Sequence, residues 1–460
     1  MTLVAGVDSS TQSTKVEVRH LETGEIVATG RSTHPAVTPP CSEQDPRSWW
    51  SAFDDAWAQC AAPVVDAIAV GGQQHGMVAL DAEDLPVHPA KLWNDTESDS
   101  DAAWLIDQLG SADAWAAAVG SVPVAAFTIT KLSWLHRTAP DAWERLARVM
   151  LPHDYLTHRL TGAYTTDRGD ASGTGYWDPG SERYRDDLLA IVDADRDWTD
   201  ALPTVLGPME SAGRWNGAVV APGSGDNMAA ALGVGLRPGD TMMSIGTSGT
   251  VSAVSATPTA DPSGAVAGFA DATGRFLPLV CTSNAAKVLD AIRSLLGVDH
   301  VEFDRLALAA DRRGPVLLPY FDGERTPYRP DATGVLAGVR SDVTREQFAR
   351  AAVDGVACGL LDALDALRAQ TTLDGRLVLV GGGARSAALR AVIAGLAGMP
   401  VVVSEVSEAV ATGAAVQAAA VLEQVEHATI QERWGLGLGE PVTGVDGGDI
   451  RDRYAAVRDR

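Results

Sequence analysis

Asp8-Ser9-Ser10-Thr11-Gln12-Ser13-Thr14 puts a carboxylate at the head of a run of small hydroxyl residues, directly after apolar residues 3–7. In a tight turn built from such residues, backbone N–H groups can approach phosphate oxygens closely. Asp8 at the strand end could hold a hydrated Mg²⁺, an ion that keeps several waters and takes few carboxylates. Thr11, Ser13 and Thr14 then become candidates for contact with a nucleotide's phosphates. The competing reading is an ordinary hairpin whose aspartate caps a turn.

A second stretch of the same kind, Gly246-Thr247-Ser248-Gly249-Thr250, lies between the apolar runs 241–245 and 251–254. Further on, Leu377-Val378-Leu379-Val380 runs into Gly381-Gly382-Gly383-Ala384-Arg385-Ser386. A glycine loop between a strand and a helix admits a ligand close to the backbone, which suits a stacked adenine and its ribose. A plain tight turn has the same composition, so the loop gains meaning only beside the two hairpins.

Gly225-Asp226-Asn227-Met228 precedes the apolar run 229–232. Asp226 could accept the proton of an attacking hydroxyl in phosphoryl transfer, and as a helix N-cap it could serve both roles. Gly72-Gln73-Gln74-His75-Gly76 follows a strand and gathers amide and imidazole groups between glycines. Strand ends are where α/β proteins place ligands, and a polyol needs several such donors and acceptors. Leu92-Trp93-Asn94-Asp95 adds an aromatic face and two polar groups; the competing reading makes Trp93 a core residue at a loop start.

No G-x-x-x-x-G-K-[ST], G-x-S-x-G or H-E-x-x-H pattern occurs, so P-loop, serine-hydrolase and zincin chemistries are excluded. With 36 Lys+Arg against 60 Asp+Glu, the net charge of −24 disfavours nucleic acid and anionic membranes as partners. A nucleotide would arrive as its Mg²⁺ complex, with its phosphates met by N–H groups and metal. Cys41, Cys60, Cys281 and Cys358 form no C-x-x-C pair, which predicts reduced thiols and neither zinc nor disulfides. The N-terminus has no basic region before Asp8, and the apolar stretch 409–422 is too short to span a bilayer. The expectation is a soluble, cytoplasmic protein.

These residues need elements to position them. The strand–turn–strand at the N-terminus recurs about 238 residues later at Thr241, and that spacing predicts an internal duplication. Eleven of the 12 tryptophans fall between Trp49 and Trp215, whereas the second half is rich in Ala, Val, Leu and Gly. The turn-forming run 236–240 marks the expected change, giving domains 1–236 and 237–460. Asp45-Pro46 predicts a helix start, and strands are expected at 3–7, 16–18, 64–70, 241–245, 251–254 and 377–380. The architecture is then α/β, two related domains facing across a cleft, each presenting a Gly/Ser/Thr hairpin.

The chain resembles the FGGY carbohydrate kinases over essentially its whole length. Gly334-Val335-Leu336-Ala337-Gly338-Val339, followed after seven residues by Gln347-Phe348-Ala349-Arg350-Ala351-Ala352-Val353-Asp354, satisfies that family's second signature. The first is matched at Lys131-Leu132-Ser133-Trp134-Leu135, with Ala126 departing upstream. The likeness is greatest to the branch acting on xylulose, on Gly72–Gly76, Leu92–Asp95, Gly225–Asn227 and Leu318-Pro319-Tyr320-Phe321-Asp322-Gly323-Glu324-Arg325-Thr326-Pro327. Gln74 stands where the family usually has Met, which leaves a shifted or broadened sugar preference open.

The resemblance implies two ribonuclease-H-like (actin-type ATPase) domains and ATP- and Mg²⁺-dependent phosphorylation of a ketopentose, D-xylulose at O5. It implies Asp226 as catalytic base and Asp8 at the Mg²⁺–phosphate end. Gln74, His75 and Asn227 fall at sugar contacts beside the candidates Trp93 and Asn94. Gly246, Thr247 and Ser248 match phosphate-binding positions, with Gly382, Gly383 and Ala384 near the adenosine and Ser386 beside them. It also suggests a homodimer. The rivals are a kinase of the same family acting on ribulose or another polyol, and an actin-like ATPase without sugar kinase activity; the latter has no need of Gln74-His75, Trp93-Asn94 or Asp226.

Overall fold

The computed structural model describes residues 2–61, 64–311 and 313–460. Its residues form two compact units. Unit 1 comprises Met1–Leu236, Ala256–Leu277 and Val406–Gly437; unit 2 comprises Arg237–Ser255, Pro278–Glu405 and Leu438–Arg460. The units are therefore not the two continuous stretches 1–236 and 237–460. The chain changes unit at Leu236–Arg237, then returns twice to supply unit 1.

In unit 1, β1 (Leu3–Ser9) and β2 (Ser13–His20) form an antiparallel hairpin, and β3 (Ile26–Thr33) continues it antiparallel to β2. On the other side β4 (Ala67–Gly72) runs parallel to β1, and β5 (Ala218–Val220) parallel to β4. β4 starts at Ala67, later than its apolar run suggests, because the ladder with β1 opens at Val4–Ala67. The helix Pro46–Gln59 begins as expected: Asp45 accepts from the Arg47 N–H, and Pro46 takes the first helical position, where no N–H is needed.

The apolar stretch near the C-terminus is the helix Ala409–Glu423, with residues 411–421 buried. A helix apolar all round belongs in a core, and this one packs on β1, β4 and the helix Asp226–Gly233. Small residues permit the approach: a Cβ on Gly6 would lie 1.9 Å from the Ala411 carbonyl oxygen. None of the described helices is long and apolar enough to cross a membrane.

In unit 2, β6 (Thr241–Ile245) and β7 (Gly249–Ala253) form an antiparallel hairpin, and β8 (Phe276–Thr282), whose residues from Pro278 on belong to unit 2, pairs antiparallel with β7 over Leu279–Thr282. β9 (Leu377–Val380) runs parallel to β6, and β10 (Val401–Ser404) parallel to β9. Both sheets thus have the order 3-2-1-4-5 with the second strand antiparallel to the rest. This is the duplication expected from the repeated strand–turn–strand, now extended to five strands in each unit. The long helix Arg345–Gln370 opens on a capping box, with Thr344 accepting from the Gln347 N–H and the Gln347 side chain from the Thr344 N–H. The four cysteines are free thiols, Cys60 and Cys358 buried and Cys41 exposed.

Candidate active site

Asp8 sits near the end of β1, opposite Lys15 in the antiparallel register. The Lys15 ammonium donates to Asp8 Oδ2 at 3.2 Å and to Glu408 Oε2 at 2.6 Å. Burial pushes the Asp8 carboxyl up to about 6, against the pull of Lys15. Its other oxygen, Oδ1, is buried without a protein partner. An unpartnered buried carboxylate oxygen at a strand end fits a hydrated Mg²⁺ or one of its waters.

Of the three candidate hydroxyls, Thr11 is partly exposed in the turn, as is the neighbouring Ser10; Ser13 and Thr14 are buried. The Thr14 hydroxyl is committed to His34 Nε2 at 2.8 Å, where burial lowers the imidazole pKa to about 4 and keeps the ring neutral. Thr11 donates to Gln73 Oε1 at 3.2 Å and accepts from the Trp93 indole N–H at 2.9 Å. Trp93 is 41% exposed, so it is not a core residue. Its loop is pinned by Lys91, whose buried ammonium meets Glu97 at 2.6 Å, Glu43 at 2.9 Å and Asp95 at 3.2 Å. Sequence reasoning missed Lys91, as it missed Lys15.

Asp226 differs from expectation in one respect. Gly225, extended at φ −60° and ψ 152°, is the N-cap, and Asp226 is the first helical residue. Ser224–Gly225 pair in parallel with Gly71–Gly72, which carries extended backbone one residue further than the composition suggests. The Asp226 Oδ1 accepts from Asn227 Nδ2 at 2.9 Å, and the same amide group donates to Gln74 Oε1 at 2.8 Å. Burial, then the negative charges of Asp8 and Asp170, push the Asp226 carboxyl up to about 7. A carboxylate in that range takes a proton readily at neutral pH.

Other residues of unit 1 have unused hydrogen-bonding capacity. Gln73 Nε2, Gln74 Nε2 and Asn94 Oδ1 are buried polar atoms without a protein partner. His75 adopts a left-handed backbone conformation (φ 65°), and its Nδ1 donates to the Gly173 carbonyl at 2.8 Å. The ring lies 5.0 Å from Phe127 and 5.3 Å from Phe269, centroid to centroid. Two amide donors, an amide acceptor and an imidazole are the group types that a polyhydroxylated ligand needs. Lys131 of the first signature is buried and donates to the Ala125 and Ala126 carbonyls. That contact reads only backbone, so the departure at Ala126 leaves it intact.

In unit 2 a cavity of about 490 Å³ is lined by Gly246, Thr247, Leu289, Gly382, Gly383 and Ser386, among others. The hairpin carbonyls of Gly246 and Thr247 accept from the N–H groups of Ala286 and Ala285, the start of the helix Ala286–Leu296. Gly381 has φ 87°, and a Cβ there would lie 2.7 Å from the Ile245 carbonyl oxygen. Ser386 caps the helix Ala387–Leu396, accepting from the Leu389 N–H and donating to Asp304 at 2.6 Å. Ser248 and Ala384 do not line the cavity; Ser248 is exposed at the hairpin tip and Ala384 is buried beneath the loop.

Two sheets of the same order, one in each unit, together with a buried carboxylate at a helix start in unit 1 and a glycine-walled cavity in unit 2, have the architecture of the actin-type fold. Residues 3–233 match the N-terminal domain, and 241–422 the C-terminal domain, of the FGGY family of carbohydrate kinases. The chain belongs to that family. A xylulose kinase of Streptomyces coelicolor is 48% identical over 456 residues, covering 96% of this chain and 93% of that one. One from Streptomyces rubiginosus is 46% identical over 468 residues, covering 99% and 95%. The crystal structure of xylulose kinase from Bifidobacterium adolescentis superposes with a TM-score of 0.88 at 41% identity, covering 99% of each chain.

Proposed function

We propose that this carbohydrate kinase transfers the γ-phosphoryl group of ATP to O5 of D-xylulose. The observation that carries the reading is Asp226, a carboxyl raised to about 7 and linked through the Asn227 amide to Gln74, whose Nε2 has no protein partner. The full-length similarity to two Streptomyces proteins named xylulose kinase supports the choice of sugar.

Asp226 takes the proton of the attacking hydroxyl as the new O–P bond forms, and the bond from the γ-phosphorus to the bridging oxygen breaks to leave ADP. Asn227 holds the carboxylate through Oδ1. Gln74 and His75 orient the sugar, with Trp93 and Asn94 at its edge. Asp8 is the residue that would hold Mg²⁺, which when bound offsets the negative charge of the phosphates. The Gly246 N–H is held by the Ser248 carbonyl, so Thr247 meets the phosphates through its backbone N–H with Gly246 leaving room beside it, and Gly382 and Gly383 let the adenosine approach the loop.

The test is ADP release by purified protein with MgATP and a panel of D-xylulose, D-ribulose, L-ribulose and glycerol. D-xylulose is expected to give the highest kcat/KM. ADP release that no sugar stimulates would favour an actin-like ATPase instead.

A further inference from the structure

Beneath the polar loop lies a buried charge cluster that takes no direct part in the transfer, although its Asp170 helps raise the Asp226 carboxyl. His153, Asp154 and Asp170 are fully buried, and Asp167 is 4% exposed. His153 Nδ1 lies 2.7 Å from Asp170 Oδ2, while Nε2 faces Asp154 Oδ1 at 3.2 Å and Asp167 Oδ1 at 3.6 Å. Nδ1 donates to Asp170, while Nε2 and Asp154 Oδ1 face each other without a formed hydrogen bond; a proton on Nε2 makes the ring a cation among these carboxylates. Burial alone would strip that proton, but Asp154, Asp170 and Asp167 outweigh it and hold the pKa at about 10.

The cluster sits against the two segments that deliver the candidate sugar and proton-transfer groups. A Cβ on Gly72, just before Gln73-Gln74-His75, would lie 2.8 Å from His153 Cβ. A Cβ on Gly223, three residues before Asp226, would lie 2.5 Å from His153 Cδ2. Asp170 Oδ2 is taken by His153, and Oδ1 is buried without a hydrogen-bond partner. Gly173, on the turn after Asp170, accepts from the His75 ring. The segment 170–173 therefore holds the His75 ring through Gly173, and His153 bonds Asp170 at the start of that segment.

We propose that His153 is a positioning residue: through Asp170 it fixes His75 and the Gln73-Gln74 backbone in the geometry that meets the sugar. The carboxylates facing its imidazole are Asp154 from its own helix and Asp167 and Asp170 from the segment 165–171; β4 and residues 221–225 face it with glycines. What matters is a buried positive charge at this point, whether carried by imidazolium or ammonium. The inference rests on the reading of His75 as a sugar contact.

The experiment compares wild type, His153→Gln and His153→Lys with D-xylulose and MgATP. His153→Gln keeps a polar side chain and loses the charge; its sugar KM is expected to rise about tenfold or more while the ATP KM moves less than about twofold. His153→Lys is expected to restore the sugar KM to within about threefold of wild type. An unchanged sugar KM in folded His153→Gln, or a His153→Lys as defective as His153→Gln, overturns the proposal. Should His153→Gln fail to fold, ¹⁵N NMR of wild-type histidine side chains decides: a His153 ring still doubly protonated at about pH 8.5 supports the anchored cation, and a neutral ring overturns it. A wild type that turns over no sugar defeats the substrate reading separately, and the NMR result still decides the state of His153.

Discussion

The indole N–H of Trp93 donates to the Thr11 hydroxyl across 2.9 Å, joining residues 82 positions apart. Thr11 belongs to the turn after β1 and Trp93 to a loop pinned by Lys91, so the bond ties the two together. Through Thr11 the tie continues to Gln73, at the start of the amide run.

Trp93→Phe keeps a ring and removes the N–H. Losing a partly exposed hydrogen bond of this kind costs about 0.5–1.5 kcal/mol, so the sugar KM should rise about 2- to 10-fold. Trp93→Ala should cost more, because the aromatic face goes as well. Steady-state kinetics on D-xylulose at saturating MgATP read both; identical KM values in all three proteins would remove Trp93 from the sugar site.

Asp226→Asn keeps size and hydrogen bonding to Asn227 but cannot take a proton. The expected loss in kcat is about 10²–10⁴-fold, the usual range for a missing general base. A folded variant turning over at the wild-type rate would sink the assignment.

The raised Asp226 carboxyl also fixes two pH dependences. Activity needs the ionised form, so kcat/KM should fall as pH drops through about 7. Stability runs the other way. A carboxyl whose folded pKa lies above its unfolded value of about 3.9 stabilises the fold fully only below that value. That contribution is lost as pH rises through about 7. Asp226→Asn should therefore melt above wild type at about pH 8, with the gain shrinking towards about pH 5. Parallel pH–rate and thermal-melting series check both signs.

Gln74→Met removes a donor whose amide nitrogen has no protein partner and an acceptor that takes a hydrogen bond from Asn227. The ratios of kcat/KM among D-xylulose, D-ribulose, L-ribulose and glycerol should shift by about tenfold or more for the sugar that bonds Gln74. Ratios that do not move would show that no sugar touches it.

Gly381→Ala forces a side chain into a left-handed conformation and against the Ile245 carbonyl. Strain of about 1–3 kcal/mol is expected, lowering the melting temperature and raising the ATP KM with the sugar KM little changed. Equal effects on both KM values would argue against an ATP role for this loop.

Local features can be read from the chain. The duplicated strand–turn–strand, the glycine loop after Val380 and the Asp45-Pro46 helix start were legible, because turn chemistry, strand period and capping are written in neighbouring residues. The pairing of Asp8 with Lys15 was nearly so, since it needs only the hairpin register. Tertiary structure alone decided the rest. Asn227 meets Gln74 from 153 positions away, and Lys15 meets Glu408 from 393. It also sealed Thr14 against His34, buried Ala384, and closed His153 among three carboxylates. Which side chains meet at such separations depends on sheet order and on where the chain returns to unit 1. A local pattern carries no record of either, so it can nominate a carboxylate such as Asp226 but cannot name the neighbours that raise its pKa.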